Sequence, residues 1–594
     1  MTDVAPGGDP PEGGAVTAGA SAATATTTPK LFVRQSSGLV RNVSVTNALF
    51  FNVAAFVGVG LTLYPIFYSL PDVPVWKTGP FSAYGWAAII AGAFCVLLAL
   101  IFASLTSVMP RSGGDYVFTS RILHPFLGWL ESWTLVIASV LIIAFEVPLV
   151  LRNLQITARI IGIGAGGHFF THANTWFTDA TGTITGTPGF IASIVVLLII
   201  ATVALLPTRS FHRVVTALAG FGVACFVAMF ILGLAVTHKS SFLANLPHYT
   251  GGVTAAKIAA SGRAAGLIQT GSSSFISNIF STTVFPLMLS VLLFQYIGFQ
   301  YSAYIAGEVR GNVRRGVLIA LIGALVIGVL ANSVYVDAIS THFGFNTNVA
   351  WGGSYWGFNT HLAALPLGQP NAMPLLAVIA NKSLWPIWAL ISLGGMVFPF
   401  LLCPVYINFI SRMQLAWSLD RQLPEWFGAV SERLRAPLNA IIATLVLTAI
   451  FLFFQSYKAL PTVLATTGHK LNLAGTAWFS IMMAILTWSL PGINALLVRL
   501  RRPDLIRNAP FRKALPWLGV GWLVFPIWIY IFAVFKPIVN ALKGTSALTY
   551  LETNGILDAG IFYAIGIVIY FIMRFRASRA GVDEKMLFTE LPPD

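Results

Sequence analysis

The sequence predicts an all-α polytopic membrane protein with about 12 transmembrane helices. Of its 594 residues, 56% are hydrophobic and only 9% are charged, and the mean hydropathy is +0.79. A soluble chain carries charge on about a quarter of its residues. About twelve stretches approach the roughly 20 apolar residues that cross a bilayer, and they lie at residues 45–70, 83–108, 126–151, 189–206, 214–236, 279–306, 317–336, 384–409, 438–454, 471–490, 515–535 and 556–573.

The basic residues predict the orientation of these helices. The formal net charge is +15 at pH 7. About two thirds of the Lys and Arg residues fall on one side, which is cytoplasmic by the positive-inside rule. We therefore expect a multi-pass protein of the plasma membrane, with both termini in the cytoplasm and no nucleic-acid partner. Cys95, Cys225 and Cys403 lie in apolar stretches without metal-ligand spacing, so neither a disulfide framework nor a metal site is predicted.

Composition divides the chain into four predicted parts. Residues 1–40 are rich in Gly, Ala, Thr and Pro and predict a disordered cytoplasmic tail. Residues 41–513 predict a core of ten transmembrane helices, built as two five-helix repeats of inverted topology at about 41–240 and 275–513. Residues 514–575 add two further helices, and residues 576–594 form a C-terminal cytoplasmic tail.

Two glycine-containing stretches predict interrupted helices. Gly298 lies among bulky residues in the sixth apolar stretch, and Gly58-Val59-Gly60 lies in the first. Glycine lets a helix unwind and expose backbone amide and carbonyl groups, which survive at membrane depth only beside protein or a water-filled cavity. Broken helices one and six predict a transport site between them. The alternative is that these glycines serve only close helix packing or a kink.

Four motifs carry a resemblance to a known family. They are GVGLTLYP at 58–65, MPRSGGDYVFTSRILHPFLGWLESW at 109–133, FQYIGFQYSAYIAGEVRGNVRR at 294–315 and SRMQLAWSLDRQLPEWFGAVSERLRAP at 411–437. In this order they resemble the amino acid–polyamine–organocation transporter family, as an amino acid permease of a divergent branch. The resemblance implies a LeuT-like fold. Val59 stands where the family has Ser, and Gln300 stands where many members have an acid.

The resemblance also implies a substrate site at the two breaks. Backbone groups of the first break would hold a substrate carboxylate, at Gly58, Val59 and Gly60. Backbone carbonyls would hold the substrate amine, at Phe56, Phe294 and Ile297. The gate and pocket would be formed by Phe294, Tyr296, Gly298 and Gln300. The alternative for Phe294 and Tyr296 is simple packing against lipid or neighbouring helices.

The loop after the second helix predicts a cytoplasmic gate. Gly113 and Gly114 permit a tight turn, and Asp115 can pair with Arg111 or Arg121. The resemblance implies that Arg111, Asp115 and Arg121 help to close this gate. The alternative is that their charges only set the orientation of the helices.

Glu146 is the candidate for proton coupling. It lies among aliphatic residues in the third predicted helix, where a carboxylate is costly unless it is paired, hydrated or protonated. The alternative is a structural ion pair with Arg152, although a spacing of six residues places the two on different helix faces.

The predicted function is secondary active transport of an amino acid or related amine by alternating access, with proton-coupled uptake favoured and the coupling ion left open. A substrate–product exchanger is the alternative within transport, and a membrane channel or a sensor is the alternative from another class. Catalysis is not predicted, and neither is a cofactor. The expected partners are the small-molecule substrate, the lipid bilayer and a second copy of the chain in a homodimer.

Overall fold

The structure of the protein is a computed structural model that describes residues 41–67, 77–178, 184–264, 289, 296–356, 373–457, 482–545, 550–582 and 584–589. The helices α1 to α20 are, in order, Val45–Phe67, Ala83–Val108, Asp115–Ile122, Pro125–Ala165, His168–Thr171, Gly186–Ala204, Thr208–Val236, Lys239–Tyr249, Ala255–Ala264, Val313–Leu330, Val336–Phe343, Phe345–Trp356, Met373–Ala380, Trp385–Leu419, Leu438–Tyr457, Ile485–Arg501, Leu515–Ile529, Lys536–Leu542, Tyr550–Arg579 and Glu584–Thr589.

Strands within these described ranges form two short antiparallel pairs. β1 (Lys77–Thr78) pairs with β2 (Phe81–Ser82), so that Lys77 lies opposite Ser82. β3 (Val430–Ser431) pairs with β4 (Ala436–Pro437). Both pairs are only two residues long, so the helices form the core.

Nine helical stretches in the described part of the chain are long and apolar enough to cross a membrane. They confirm the predicted class, an all-α polytopic membrane protein. Two of the predicted stretches, the sixth and the tenth, fall largely on residues outside the described ranges. Contacts group the described residues into one unit, Gln35–Asp594. The division of the core into two inverted repeats stays a prediction, and the predicted tail at residues 1–40 lies almost wholly outside that unit and outside the described ranges.

The centre of the unit is α4, whose 41 residues include an apolar window that is completely buried. The Nδ1 atom of His124 accepts a hydrogen bond from the Phe126 amide at 3.1 Å and thereby caps the first turn of α4. α4 continues well beyond the predicted end at residue 151. Its polar residues find partners within the helix, because Arg152 donates to Gln155 and Asn153 donates to the Leu149 carbonyl. α4 therefore continues through Arg152 and Asn153 instead of ending before them.

Two tryptophans attach α19 to α4. The indole of Trp129 donates to the Gly566 carbonyl, and that of Trp133 donates to the Phe562 carbonyl, both at 2.8 Å. A Cβ atom at Gly566 would lie 2.3 Å from the Trp133 ring, so only glycine permits this approach. The last long helix is thereby fixed to the centre of the bundle.

Candidate functional site

Segment six, the stretch Tyr296–Glu308, does not form an α-helix. It turns at residues 296–300 and continues as short 3₁₀ helices at Tyr301–Ala303 and Ala306–Glu308. Gly298 has a φ angle of +113°, which favours glycine. A Cβ atom here would lie 2.8 Å from the Cβ atom of Ala55 on α1. The structure therefore shows non-helical backbone at Gly298, as the sequence predicts, and places it directly against the first helix.

Side chains of α1 and of segment six itself satisfy the irregular backbone of segment six. Asn52 on α1 accepts from the Ser302 amide at 2.7 Å and donates to the Ser302 hydroxyl at 2.9 Å. The Gln300 side chain accepts from the Gly298 amide at 3.2 Å. Because segment six is buried, these bonds remove the cost of leaving backbone groups unpaired away from water. Gln300 thus closes the turn at the glycine.

The predicted interruption of the first helix is wrong for this conformation. α1 runs without a break from Val45 to Phe67 and passes through Gly58, Val59 and Gly60 as helix. A glycine in a helix interior costs only about 1 kcal/mol relative to alanine, whereas an unpaired backbone group in an apolar setting costs several. The backbone amides of Val59 and Gly60 and the carbonyl of Phe56 are therefore used within α1.

The predicted gate residue Tyr296 is anchored to the second helix. Its hydroxyl donates to the Ala88 carbonyl on α2 at 2.9 Å, and its ring lies 5.8 Å from that of Phe56 on α1. The carbonyl of Ile297 accepts from the Tyr406 hydroxyl at 3.4 Å. Segment six therefore contacts α1, α2 and α14 at the level of Gly298. Phe294, the other predicted gate residue, lies outside the described residues.

The predicted cytoplasmic gate forms a buried polar cluster around α3. The turn before α3 has positive φ angles at Gly113 and Gly114, as the sequence predicts. Asp115 accepts from the hydroxyl of Tyr304 in segment six at 2.6 Å and from the amide of Tyr116 at 2.8 Å. Arg121 instead forms a two-pronged ion pair with Asp420, at 2.6 and 2.8 Å. Asp115 therefore does not pair with Arg121, one of the two partners that the sequence allows.

The tertiary partners of Asp115 and Arg121 explain why the two residues do not pair with each other. Asp115 and Arg121 lie near the opposite ends of the short helix α3, so each meets a different neighbouring element. Arg111 is half-buried in the turn that leads into the helix, where the Gly113 amide donates to the Tyr304 carbonyl at 3.1 Å. α3 thus connects segment six to the end of α14.

Burial shapes the charges in this cluster. Burial raises the pKa of Asp115 to about 7, although hydrogen bonds from Tyr304 and from the Tyr116 amide act in the opposite direction. Burial alone would lower the pKa of Arg121, but the charge and hydrogen bonds of Asp420 raise it. Burial therefore brings the pKa of Asp115 close to neutral pH.

Glu146 is buried in α4, as its apolar neighbours predict. Among the residues that the structure describes, Glu146 forms no ion pair. Arg152, the alternative partner in the sequence, donates to Gln155. In this structure Glu146 therefore forms neither the structural ion pair with Arg152 nor an ion pair with another described residue.

Sequence reasoning missed a second buried ion pair and a buried carboxyl. Glu308 at the end of segment six pairs with Arg412 of α14 at 2.8 Å. Glu131 in α4 accepts from the Thr119 hydroxyl, which in turn accepts from the Asn494 amide. Glu308 lies inside the motif at 294–315, and Arg412 lies inside the motif at 411–437. The motifs therefore contain both residues, but the sequence alone gives neither of them a partner. No group of three potential metal ligands occurs in the described ranges.

The long apolar helices and the interrupted segment six packed against α1 define a polytopic membrane protein of the transporter class. The model of the amino acid permease family matches residues 44–565, and the chain therefore belongs to that family. The branched-chain amino acid permease BcaP of Lactococcus lactis is 24% identical over 526 residues, which cover 87% of this chain and 92% of that protein. The aspartate-proton symporter of Bacillus subtilis is 21% identical over 491 residues, 80% of this chain and 77% of that protein.

Proposed function

We propose that this permease is a secondary active transporter that takes up an amino acid or related amine by alternating access, coupled to protons. The single observation that carries the proposal is the interruption at Gly298, buried against Ala55 of α1. An interrupted helix at membrane depth is the place where transporters bind small polar substrates. Family membership gives the substrate class.

The substrate site that we propose lies between α1 and segment six. The carboxylate would be held by backbone groups of Gly58, Val59 and Gly60. In the described conformation these residues are helical, so binding requires α1 to unwind locally, and the two glycines lower the cost of unwinding. The amine would be held by backbone carbonyls of the two segments, at Phe56, Phe294 and Ile297.

The polar cluster around α3 would act as the gate on the cytoplasmic side. We assign that side by the positive-inside rule, with both termini in the cytoplasm of a plasma-membrane protein. The ion pairs Arg121–Asp420 and Glu308–Arg412 are fully buried here, with side chains at most 1% exposed. A gate held by such pairs is closed in this conformation, and opening would require both pairs to separate or move together.

The test is uptake into proteoliposomes that contain the purified full-length protein. The panel begins with branched-chain amino acids and L-aspartate, the substrates that the names of the two relatives give, and includes L-serine and simple amines. Proton-coupled uptake predicts accumulation when an inward pH gradient is imposed. Accumulation that needs substrate inside the vesicles and ignores the gradient would indicate an exchanger instead. Absence of any uptake or counterflow would refute the proposal.

Glu146→Gln tests the coupling residue in the same vesicles. Glutamine resembles the protonated carboxyl, so the variant should still catalyse counterflow but should lose accumulation driven by the pH gradient, leaving only equilibration. Glu425→Gln is the matched control, because that carboxyl is exposed and lies in a short 3₁₀ helix, Glu425–Gly428, outside the long apolar helices. Full pH-driven accumulation by Glu146→Gln would exclude Glu146 as the coupling site.

We further propose that the protein forms a homodimer. Light scattering of the detergent-solubilised protein tests this proposal by measuring its molecular mass.

A further inference from the structure

The short helix α20 (Glu584–Thr589) packs against α3 of the buried polar cluster. Leu587 and Phe588 are each only 6% exposed, so α20 docks through apolar side chains. The Phe588 ring lies over the Arg121 guanidinium, with 5.0 Å between the ring centroid and Cζ. α20 therefore contacts the same arginine that pairs with Asp420.

The ring and the ion pair use different parts of this guanidinium. Both hydrogen bonds to Asp420 come from the terminal nitrogens Nη1 and Nη2 of Arg121. A planar guanidinium that binds a carboxylate in this way leaves its faces available to aromatic rings. The Tyr116 ring also lies near it, at 5.9 Å from Cζ. Phe588 and Asp420 therefore bind Arg121 at the same time and stabilise one position of its side chain.

Arg502, which follows α16, connects the backbones of α20 and α3. Its Nη2 donates to the Thr589 carbonyl at 3.2 Å, and its Nη1 donates to the Arg121 carbonyl at 3.3 Å. Asp504 pairs with the same guanidinium at 2.9 Å, which fixes its direction. One side chain thus holds the end of α20 beside the end of α3.

The docked helix keeps water away from the Arg121–Asp420 pair. Arg121 is 4% exposed and Asp420 is completely buried. The attraction between two charges is stronger where water is excluded and weaker where water screens it. Departure of Phe588 would expose the guanidinium to water, and the ion pair would weaken.

The docking of α20 has the character of a reversible contact. The helix has six residues, and a helix of this length does not persist in water without packing. It is held to α3 by apolar side chains, one cation–π contact and the bond from Arg502 to a backbone carbonyl. Its release would leave the long apolar helices in place.

We propose that α20 is a regulatory latch on the cytoplasmic gate. While α20 is docked on α3, it holds Arg121 against Asp420 and the gate stays closed; when α20 leaves, the pair is hydrated and the gate opens more readily. The proposal rests on the proposed function, because it requires the polar cluster around α3 to act as the gate. It gives that gate a control element outside the membrane helices.

The test is the labelling rate of a cysteine placed at Ser112 in the purified protein. A Cβ atom at Gly307 of segment six would lie 3.2 Å from Ser112 Oγ, so opening of the gate uncovers this position. Truncation after Val582 should raise the rate about tenfold, because it removes both the apolar burial and the cation–π contact. Phe588→Ala should have a similar effect, whereas Phe588→Tyr keeps the ring and should label at nearly the wild-type rate.

Phe575→Ala is the matched control. The Phe575 ring also lies over an arginine, Arg579, at 4.3 Å, but on the exposed part of α19. This variant should label at the wild-type rate. Asp420→Asn is the positive reference, because it breaks the ion pair directly and should label faster. A peptide of residues 583–594, added to the truncated protein, should restore the slow rate.

Two results would overturn the latch. In the first, the truncated protein labels at the full-length rate while Asp420→Asn labels faster. In the second, labelling of the truncated protein stays fast in the presence of the peptide and its melting temperature falls, which would assign the effect to lost stability. Labelling needs no substrate, so it decides the latch separately from uptake. Absence of uptake and counterflow by the wild-type protein would instead refute the proposed function.

Discussion

Asp115 is a buried carboxyl of the α3 cluster, so its charge depends on whether the cluster is closed. Burial raises its pKa to about 7 in the closed cluster, whereas exposure to water in an open gate would return the pKa to the ordinary range near 4. The closed state therefore binds more protons between these two values. Closure is most favoured at low pH, and this contribution is lost as the pH rises through about 7.

We therefore expect the gate to open more readily at pH 8 than at pH 6, and Asp115→Asn to abolish this dependence. A cysteine at Ser112 can report opening, because Ser112 Oγ would lie 3.2 Å from a Cβ atom at Gly307 of segment six. The native cysteines are buried and add little background. The measurement is the labelling rate of Ser112→Cys against pH. The same cysteine combined with Asp115→Asn provides the control for thiol ionisation, and identical profiles would contradict the prediction.

Single residues with unusual backbone requirements could be predicted from the sequence, but their partners could not. Gly298 and the pair Gly113–Gly114 are recognisable because glycine among bulky residues or beside a charged loop signals a turn. The partner of Asp115 is 189 residues away in Tyr304, and that of Arg121 is 299 residues away in Asp420. Only the packing of the whole bundle decides such pairs.

At the scale of elements, composition predicts which stretches cross the membrane better than it predicts their continuity. Glycine within an apolar stretch predicts a break in the helix at two places, and the structure shows non-helical backbone at only one of them. At Gly298 the chain turns, because Asn52, Gln300 and Tyr406 supply partners for the backbone. At Gly58 and Gly60 the helix continues and satisfies its own backbone. The non-helical backbone at Gly298 therefore relies on side-chain partners from α1, segment six and α14.

Gly298→Ala should destabilise the protein and stop transport. The φ angle of +113° is strained for alanine and costs about 1–3 kcal/mol, and the added Cβ would also overlap Ala55. Gly220→Ala is the matched control, because Gly220 lies within α7 and a Cβ there meets nothing within 4 Å. The control should be neutral or stabilised by up to about 1 kcal/mol. Thermal melting and uptake check both, and equal behaviour of the two variants would remove the special role of Gly298.

At the scale of the whole molecule, the two buried ion pairs converge on α14. Arg412 in the last turns of this helix holds Glu308 of segment six, and Asp420 just after its end holds Arg121 of α3. Val43 before α1 bonds to the Glu308 carbonyl at 2.9 Å. α1, segment six, α3 and α14 therefore meet at one end of the bundle through charges rather than through apolar packing alone. The apolar stretches predict the bundle, whereas these charged contacts become visible only in the folded structure.

The Arg121–Asp420 pair should act as a clamp that closes this end of the molecule. Asp420→Asn or Arg121→Gln leaves one buried charge without its partner, which costs about 3–5 kcal/mol. The double variant removes both charges, so it should melt at a higher temperature than either single variant. The double variant should still label faster than wild type at Ser112→Cys, because the clamp is gone. Glu425→Gln changes an exposed ion pair and should alter neither property, since such pairs contribute about 0–1 kcal/mol. A double variant as poorly folded as the singles, or one that labels at the wild-type rate, would show that the pair is not an independent clamp.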